Sequence, residues 1–270
     1  MPQLTRDSAS SYNWSGAHQE WGRRLFMTVL RILAALLVSA GIAFAQEIPA
    51  GTALPVLLSS KLEAAKIKPG QQIVGRLAQA VPLPSGKRIP EGSQVRGQVI
   101  EVRPPASGSG SQLILKFDRV HTKKGDFPVT TALRAIASVP EVESAEQPQW
   151  VGGRGFSYPA NWTTVQIGGP EAVYRGGGHV MAGNQIVGEP VWHGAIGRFR
   201  PSVCPAENDR EQALWVFATT ACGAYGFTDL HIANPGWNPP IGQIVLAAKG
   251  DVQVFGRSGL LLVTLTPGTH

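Results

Sequence analysis

A turn-and-strand unit occurs twice in this chain, and no other feature restricts its fold as much. Ile48-Pro49-Ala50-Gly51-Thr52-Ala53-Leu54 returns forty-one positions later as Ile89-Pro90-Glu91-Gly92-Ser93-Gln94-Val95. Proline holds φ near −65° at the second position of a tight turn, and the glycine two residues on accepts a positive φ that other residues avoid. The hydroxyl and apolar residues that follow suit an emerging strand. Pro49, Gly51, Pro90 and Gly92, with Pro69 and Gly70 of Lys68-Pro69-Gly70-Gln71, therefore read as structural turns. Two such units so close together imply a small β-sheet assembled by repetition.

The surrounding pattern agrees. The 270 residues include 32 Gly and 21 Pro, and 16% are charged, against roughly 25% in an average soluble domain. The expected class is mainly β, a small antiparallel barrel or sandwich. Leu54, Val56 and Leu58 alternate with the two-residue period of a strand, and Pro55 predicts that this strand lies at an edge or a bulge. Lys61 to Lys68 reads as helical or irregular, and Gln72 to Ala78 as the next strand. Val95 to Val102 changes phase, which predicts a bulge near Val99 and Ile100. Leu113, Leu115 and Phe117 share one strand face, and His121 to Asp126 turns the chain into a strand over Phe127–Ala137. About six strands result, the first part of a barrel over residues 46–140.

The N-terminal region carries an export pattern. Arg23 and Arg24 precede an apolar stretch from Leu25 to Ala45, which ends in Ala43-Phe44-Ala45 before Gln46. Its part after Arg31, Ile32 to Phe44, is thirteen residues long, short of the roughly 20 that span a bilayer. Residues 1–45 are expected to be a signal peptide, making the mature protein exported and periplasmic or otherwise associated with the cell envelope. Met27 offers a second start, and Gly22-Arg23-Arg24-Leu25-Phe26-Met27 fits a loose twin-arginine pattern, so the export route stays open. Left uncleaved, this segment would be the membrane contact.

At Pro140 the composition changes. Residues 46–140 carry 13 Lys and Arg against 6 Asp and Glu, whereas residues 141–270 carry 7 against 10. The basic residues are scattered among strands without an aromatic stacking pattern, which argues against a nucleic-acid partner. Residues 141–240 hold Trp150, Trp162, Trp192, Trp215 and Trp237 among many glycines and read as a loop-rich inserted lobe. Over residues 241–270, Gln243–Ala248, Val252–Phe255 and Leu260–Leu265 read as strands that complete the barrel.

Lys68-Pro69-Gly70-Gln71, Pro82-Leu83-Pro84-Ser85-Gly86-Lys87, Ile89-Pro90-Glu91-Gly92-Ser93-Gln94-Val95-Arg96-Gly97 and the strand from Gly259-Leu260 resemble the periplasmic β-barrel domain of the bridging scaffold protein of type IV secretion and conjugation systems. The likeness covers residues 48–137 and 243–265. It implies a barrel fold and an envelope location. That family's long proline-rich linker is missing, as is its pair of pore-forming helices. A stand-alone exported barrel fits equally well.

Candidate chemistry is sparse. Cys204 and Cys222, eighteen positions apart, are the two cysteines of the chain, and in an exported protein they are expected to form a disulfide. A sharper alternative is nucleophilic. Trp192-His193-Gly194-Ala195-Ile196-Gly197-Arg198 followed by Ser202-Val203-Cys204 is distantly similar to the histidine and cysteine region of L,D-transpeptidases, which would make Cys204 the nucleophile and His193 its base. That family's Ser-His-Gly-Cys element is absent. The histidines show no paired metal spacing, and Asp229-Leu230-His231 reads more simply as a hydrogen-bonded pair than as metal ligands. Gly176-Gly177-Gly178 opens no helix that would bind phosphate. No cofactor is implied. Trp192, Trp215, Trp237 and Tyr225 form a candidate binding surface for an envelope protein or a glycan, with core packing as the alternative for the tryptophans. The first expectation is a non-enzymatic binding or assembly module of undetermined oligomeric state.

Overall fold

The computed structural model describes residues 48–106, 109–150, 162–175, 177–206, 208–233 and 242–266. The export segment with Met27 lies outside them, as do Gly176 and Trp237, and of Trp150 and Trp162 the backbone alone is described.

Strands are numbered along the chain. The two repeat turns are built alike. Gly51 and Gly92 take φ of 72° and 75°. The hydroxyls of Thr52 and Ser93 each donate to the carbonyl of the unit's proline, Pro49 or Pro90, at 2.6 Å. Each turn then feeds a strand, β1 (Ala53–Leu58) or β6 (Gln94–Arg103). Between them lies β3 (Gln72–Leu77), antiparallel to both. The expected bulge in β6 falls where register slips between Val99 and Glu101, and a second slip occurs at Arg96/Gly97.

Beyond β6 the sheet continues through β7 (Ser111–Thr122), β19 (Ile244–Ala248) and β18 (His231–Ala233), with β8 (Gly125–Pro128) on the far end of β7. On the other side of β1 come β21 (Gly259–Thr264), β9 (Thr131–Ala137) and β17 (Gly223–Tyr225). The C-terminal β21 thus sits between β1 and β9, while β17 runs parallel to β9. The two edge strands, β17 and β18, approach one another, so these ten strands form a nearly closed barrel-like sheet. Small ribbons of β2 (Leu62–Glu63) with β20 (Gln253–Val254), and of β4 (Val81–Pro82) with β5 (Arg88–Ile89), flank it.

One expectation is corrected here. Pro55 does not mark an edge, since β1 has β21 on one side and β3 on the other. It is tolerated because Val56 begins the β1–β3 register, so the missing proline N–H falls where that ladder ends; the Pro55 carbonyl still accepts from Ala78 N–H at 3.0 Å. Lys61–Lys68 takes the irregular of its two expected forms, the short β2 followed by a turn in which Lys61 and Lys66 both pair with Glu63.

The lobe is also more regular than its composition suggests. β10 (Gln149–Trp150), β11 (Trp162–Val165), β12 (Glu171–Tyr174), β13 (His179–Ala182), β14 (Gln185–Val191), β15 (Gly194–Arg198) and β16 (Glu211–Ala213) form a seven-stranded antiparallel meander. A loop-rich lobe was expected because glycine was read as loop. Gly188 and Gly197 instead lie within strands, where a side chain would strike the neighbouring backbone: a Cβ on Gly188 would lie 2.2 Å from the Ile196 carbonyl oxygen.

Apolar residues divide between two faces of the barrel wall. Leu54, Val56, Leu133, Ile136, Leu260 and Leu262 point into the main core with Phe117 and Leu115. Ala53, Ala135, Leu261 and Val263 point outward into a second layer with Leu214, Trp215 and Phe217. The run Leu260-Leu261-Leu262-Val263 is continuous because β21 is buried on both faces. The helix α1 (Val139–Glu146), with Pro140 in its first turn, adds Val142 and Ala145 to that second layer.

Candidate functional site

A groove with a volume of about 710 Å³ lies at the seam between barrel and lobe. The barrel contributes Leu57 of β1, Arg76 of β3, and Glu91 with Gly92 from the second repeat turn. The lobe contributes Arg175, Val191, Trp192 and His193, and the strap after β16 contributes Trp215 and Val216. Glu146 of α1 and Gln166 also line it.

Buried amides fix this geometry. Gln79, just past β3, donates through Nε2 to the Ala195 carbonyl at 3.0 Å and accepts Trp215 N–H at 2.7 Å. Gly194 is required beside it, because a Cβ there would lie 2.1 Å from Gln79 Oε1. On the next seam, Gln212 of β16 accepts the Ala53 N–H at 2.8 Å. Glu171, 1% exposed, accepts the N–H of Thr219 at 2.9 Å and also its hydroxyl, tying the meander to the strap.

Two strained residues border the groove. His193 and Trp215 have φ of 55° and 52°. For a residue as bulky as tryptophan the left-handed region is unfavourable, and such backbone persists where surrounding contacts impose it, frequently at functional sites. Here Gln79 holds the Trp215 amide. His193 closes the two-residue turn between β14 and β15, and its Nδ1 lies 2.8 Å from the Glu91 carboxylate. Glu91 fills the variable position of the repeat, where the first unit has Ala50.

The candidate aromatic residues occupy different environments. Trp192 is 81% exposed and rests on the His193 ring, with centroids 4.7 Å apart. Trp215 does not present a binding surface: it is 4% exposed and packs edge-on against Phe217. Tyr225 is half-buried, and its hydroxyl is engaged by both the N–H and the carbonyl of Cys222.

Cys204 and Cys222 are joined as a disulfide, as the pair of cysteines predicted. Arg134, fully buried, donates to the carbonyls of Pro205 and Ala221, the neighbours of the two half-cystines, and stacks over Phe199 at 4.2 Å. A sulfur committed to a disulfide cannot supply the thiolate that a cysteine nucleophile requires. Asp229 accepts the Gly250 N–H at 2.8 Å. His121 pairs with Asp126, and that hydrogen bond holds the Asp126 carboxyl below its ordinary value of 3.8. Among the described residues no group of three or more His, Cys, Asp or Glu is placed to hold a metal, and no helix is long and apolar enough to cross a membrane.

The sequence reading missed Arg76, Arg175, Gln79 and Gln166. Glu91 alone left a signal, as the charged substituent in an otherwise structural repeat. Comparison with family models, with curated proteins and with solved structures finds no match to this chain.

Proposed function

We propose that this chain is an exported, non-enzymatic binding or assembly module of the bacterial cell envelope, with the barrel as its rigid body and the seam groove as its contact site. The groove carries this reading. It offers an exposed indole, Trp192, and two exposed guanidiniums, Arg76 and Arg175, beside the strained but supported backbone of His193 and Trp215. The disulfide fits an oxidising, exported compartment, and the apolar stretch ending Ala43-Phe44-Ala45 favours release into the periplasm. The resemblance to a secretion-scaffold barrel supports an assembly role within the same reading. The disulfide also favours this reading over a cysteine transpeptidase using Cys204 and His193.

Expression of the full reading frame in a Gram-negative host tests both halves. The exported form is expected to lack residues 1–45 by intact mass and to titrate no free thiol without reductant. Washed envelope fragments are expected to co-sediment the wild-type protein and to release Trp192→Ala. Two free thiols with transpeptidase activity would sink the non-enzymatic reading, and equal sedimentation of the variant would move the contact site away from the groove.

A further inference from the structure

We infer that the groove takes a carboxylate-bearing saccharide, stacked by a sugar face on Trp192 and held through its carboxylate by Arg76 and Arg175. This rests on the reading of the groove as the contact site.

The lining excludes the common ways of holding a polypeptide. Leu57 of β1 and Arg76 of β3 are paired to a strand on both sides, whereas Val191, which ends β14, is paired to β15 alone and has its carbonyl reached by Arg175. The unpaired edge at the groove is the three residues Glu189–Val191, too short to seat an extended peptide as an added strand. An amphipathic helix needs an apolar trough, yet Trp215 and Val216 are each only 4% exposed. The accessible apolar surface is concentrated in Trp192. The His193 ring lies beside the indole, with centroids 4.7 Å apart, and Trp192 remains 81% exposed, an apolar platform suited to the C–H face of a pyranose ring.

The polar groups point to the rest of the ligand. Arg76 and Arg175, one from each wall, take part in no ion pair among the described residues; Arg175 makes one long bond, 3.4 Å, to the Val191 carbonyl. A guanidinium fork matches a carboxylate in shape and charge. Of the two carboxylates present, Glu91 is engaged by His193, leaving Glu146 exposed to accept from hydroxyls. Gln166 supplies an independent observation. It is 4% exposed, lines the groove, and its Oε1 is buried with no hydrogen-bond partner among the described residues. A buried acceptor left unmet is costly, and a turn of the Gln166 side chain toward the groove would let a ligand hydroxyl satisfy it. The volume lies within the roughly 300–1,000 Å³ of sites that hold small ligands.

The test is calorimetric titration of the exported, oxidised protein with three probes: trigalacturonate, neutral cellotriose and hexaglutamate. Trigalacturonate is expected to bind, with affinity falling about tenfold in Trp192→Ala and in the double variant Arg76→Gln/Arg175→Gln, as loss of a stacked ring or a charge-assisted pair predicts. These side chains are exposed, so thermal midpoints should stay at the wild-type value. Cellotriose is expected to bind about tenfold more weakly, lacking the carboxylate. Equal binding of cellotriose would overturn the carboxylate assignment, and tighter binding of hexaglutamate would replace the saccharide with an acidic peptide. Binding unchanged in both variants would place the sugar elsewhere, and no saccharide binding would overturn the inference outright. A protein that ignores all three probes yet sediments with envelope fragments through Trp192 loses this inference alone, because the contact site survives.

Discussion

The ten-stranded barrel sheet and the seven-stranded inserted sheet are built from similar antiparallel strands, yet they are held by different forces. The barrel encloses an extensive apolar core around Phe117, Leu115 and Leu262. The inserted sheet has a core of its own made of Val173, Val180 and Ala195, with Val187 packed against it. Its remaining attachment comes from the strap that carries Trp215 and Phe217, from Gln79, Gln212 and Glu171, and from the disulfide with Arg134. Barrel stability is therefore spread over area, in proportion to apolar surface buried, whereas the lobe, with a small core of its own, depends on the apolar layer shared with the barrel wall and on a few buried bonds at the seam. The groove lies where the two meet, so the lobe's few attachments also set the geometry of the site.

The largest expected effect is on the barrel. Phe117→Ala should cost about 3–5 kcal/mol, read by chemical denaturation, with amide protection lost in β3, β6 and β7 and, because the lobe packs on the barrel wall, in the lobe as well. Protection retained in the lobe alone would show that it folds by itself and would reverse the comparison.

Replacing both half-cystines, Cys204→Ala with Cys222→Ala, should cost about 3 kcal/mol for a loop of this length. Hydrogen exchange should rise over residues 199–222 while β3, β6 and β7 stay protected. Equal loosening of the barrel would mean that the disulfide supports both sheets. The change also frees the carbonyls of Pro205 and Ala221 that solvate the Arg134 guanidinium, so the loss should be local and cooperative.

Gln79→Ala should cost about 1–3 kcal/mol, because it strands the Trp215 N–H and the Ala195 carbonyl in a buried seam. The Trp215 amide should exchange faster and trigalacturonate affinity should fall, although Gln79 does not line the groove. Unchanged exchange at Trp215 would show that the strap is positioned by packing alone.

The features legible in the sequence were those set by neighbouring residues. The repeat turns follow from proline and glycine φ preferences, the bulge at Val99 and Ile100 from a break in a two-residue period, and the disulfide from there being two cysteines to pair. Pro55 was misread as an edge signal because a proline reports its own missing N–H, while the strand that lies beside it is decided by the whole sheet. The meander was misread because glycine in a turn and glycine at a close strand approach look the same in sequence; Gly188 and Gly197 are of the second kind.

The sequence by itself determined where the chain turns, where it runs as strand and which sulfurs can join. Only the tertiary structure decided that Glu91 and His193, 102 positions apart, would meet across a groove, and that Trp192 would stand exposed while Trp215 is buried. Turn and strand preferences depend on a few adjacent dihedral angles and side chains. Which surfaces then face one another is set by burying β21 on both faces and closing the lobe onto the barrel wall, a choice made by the whole chain.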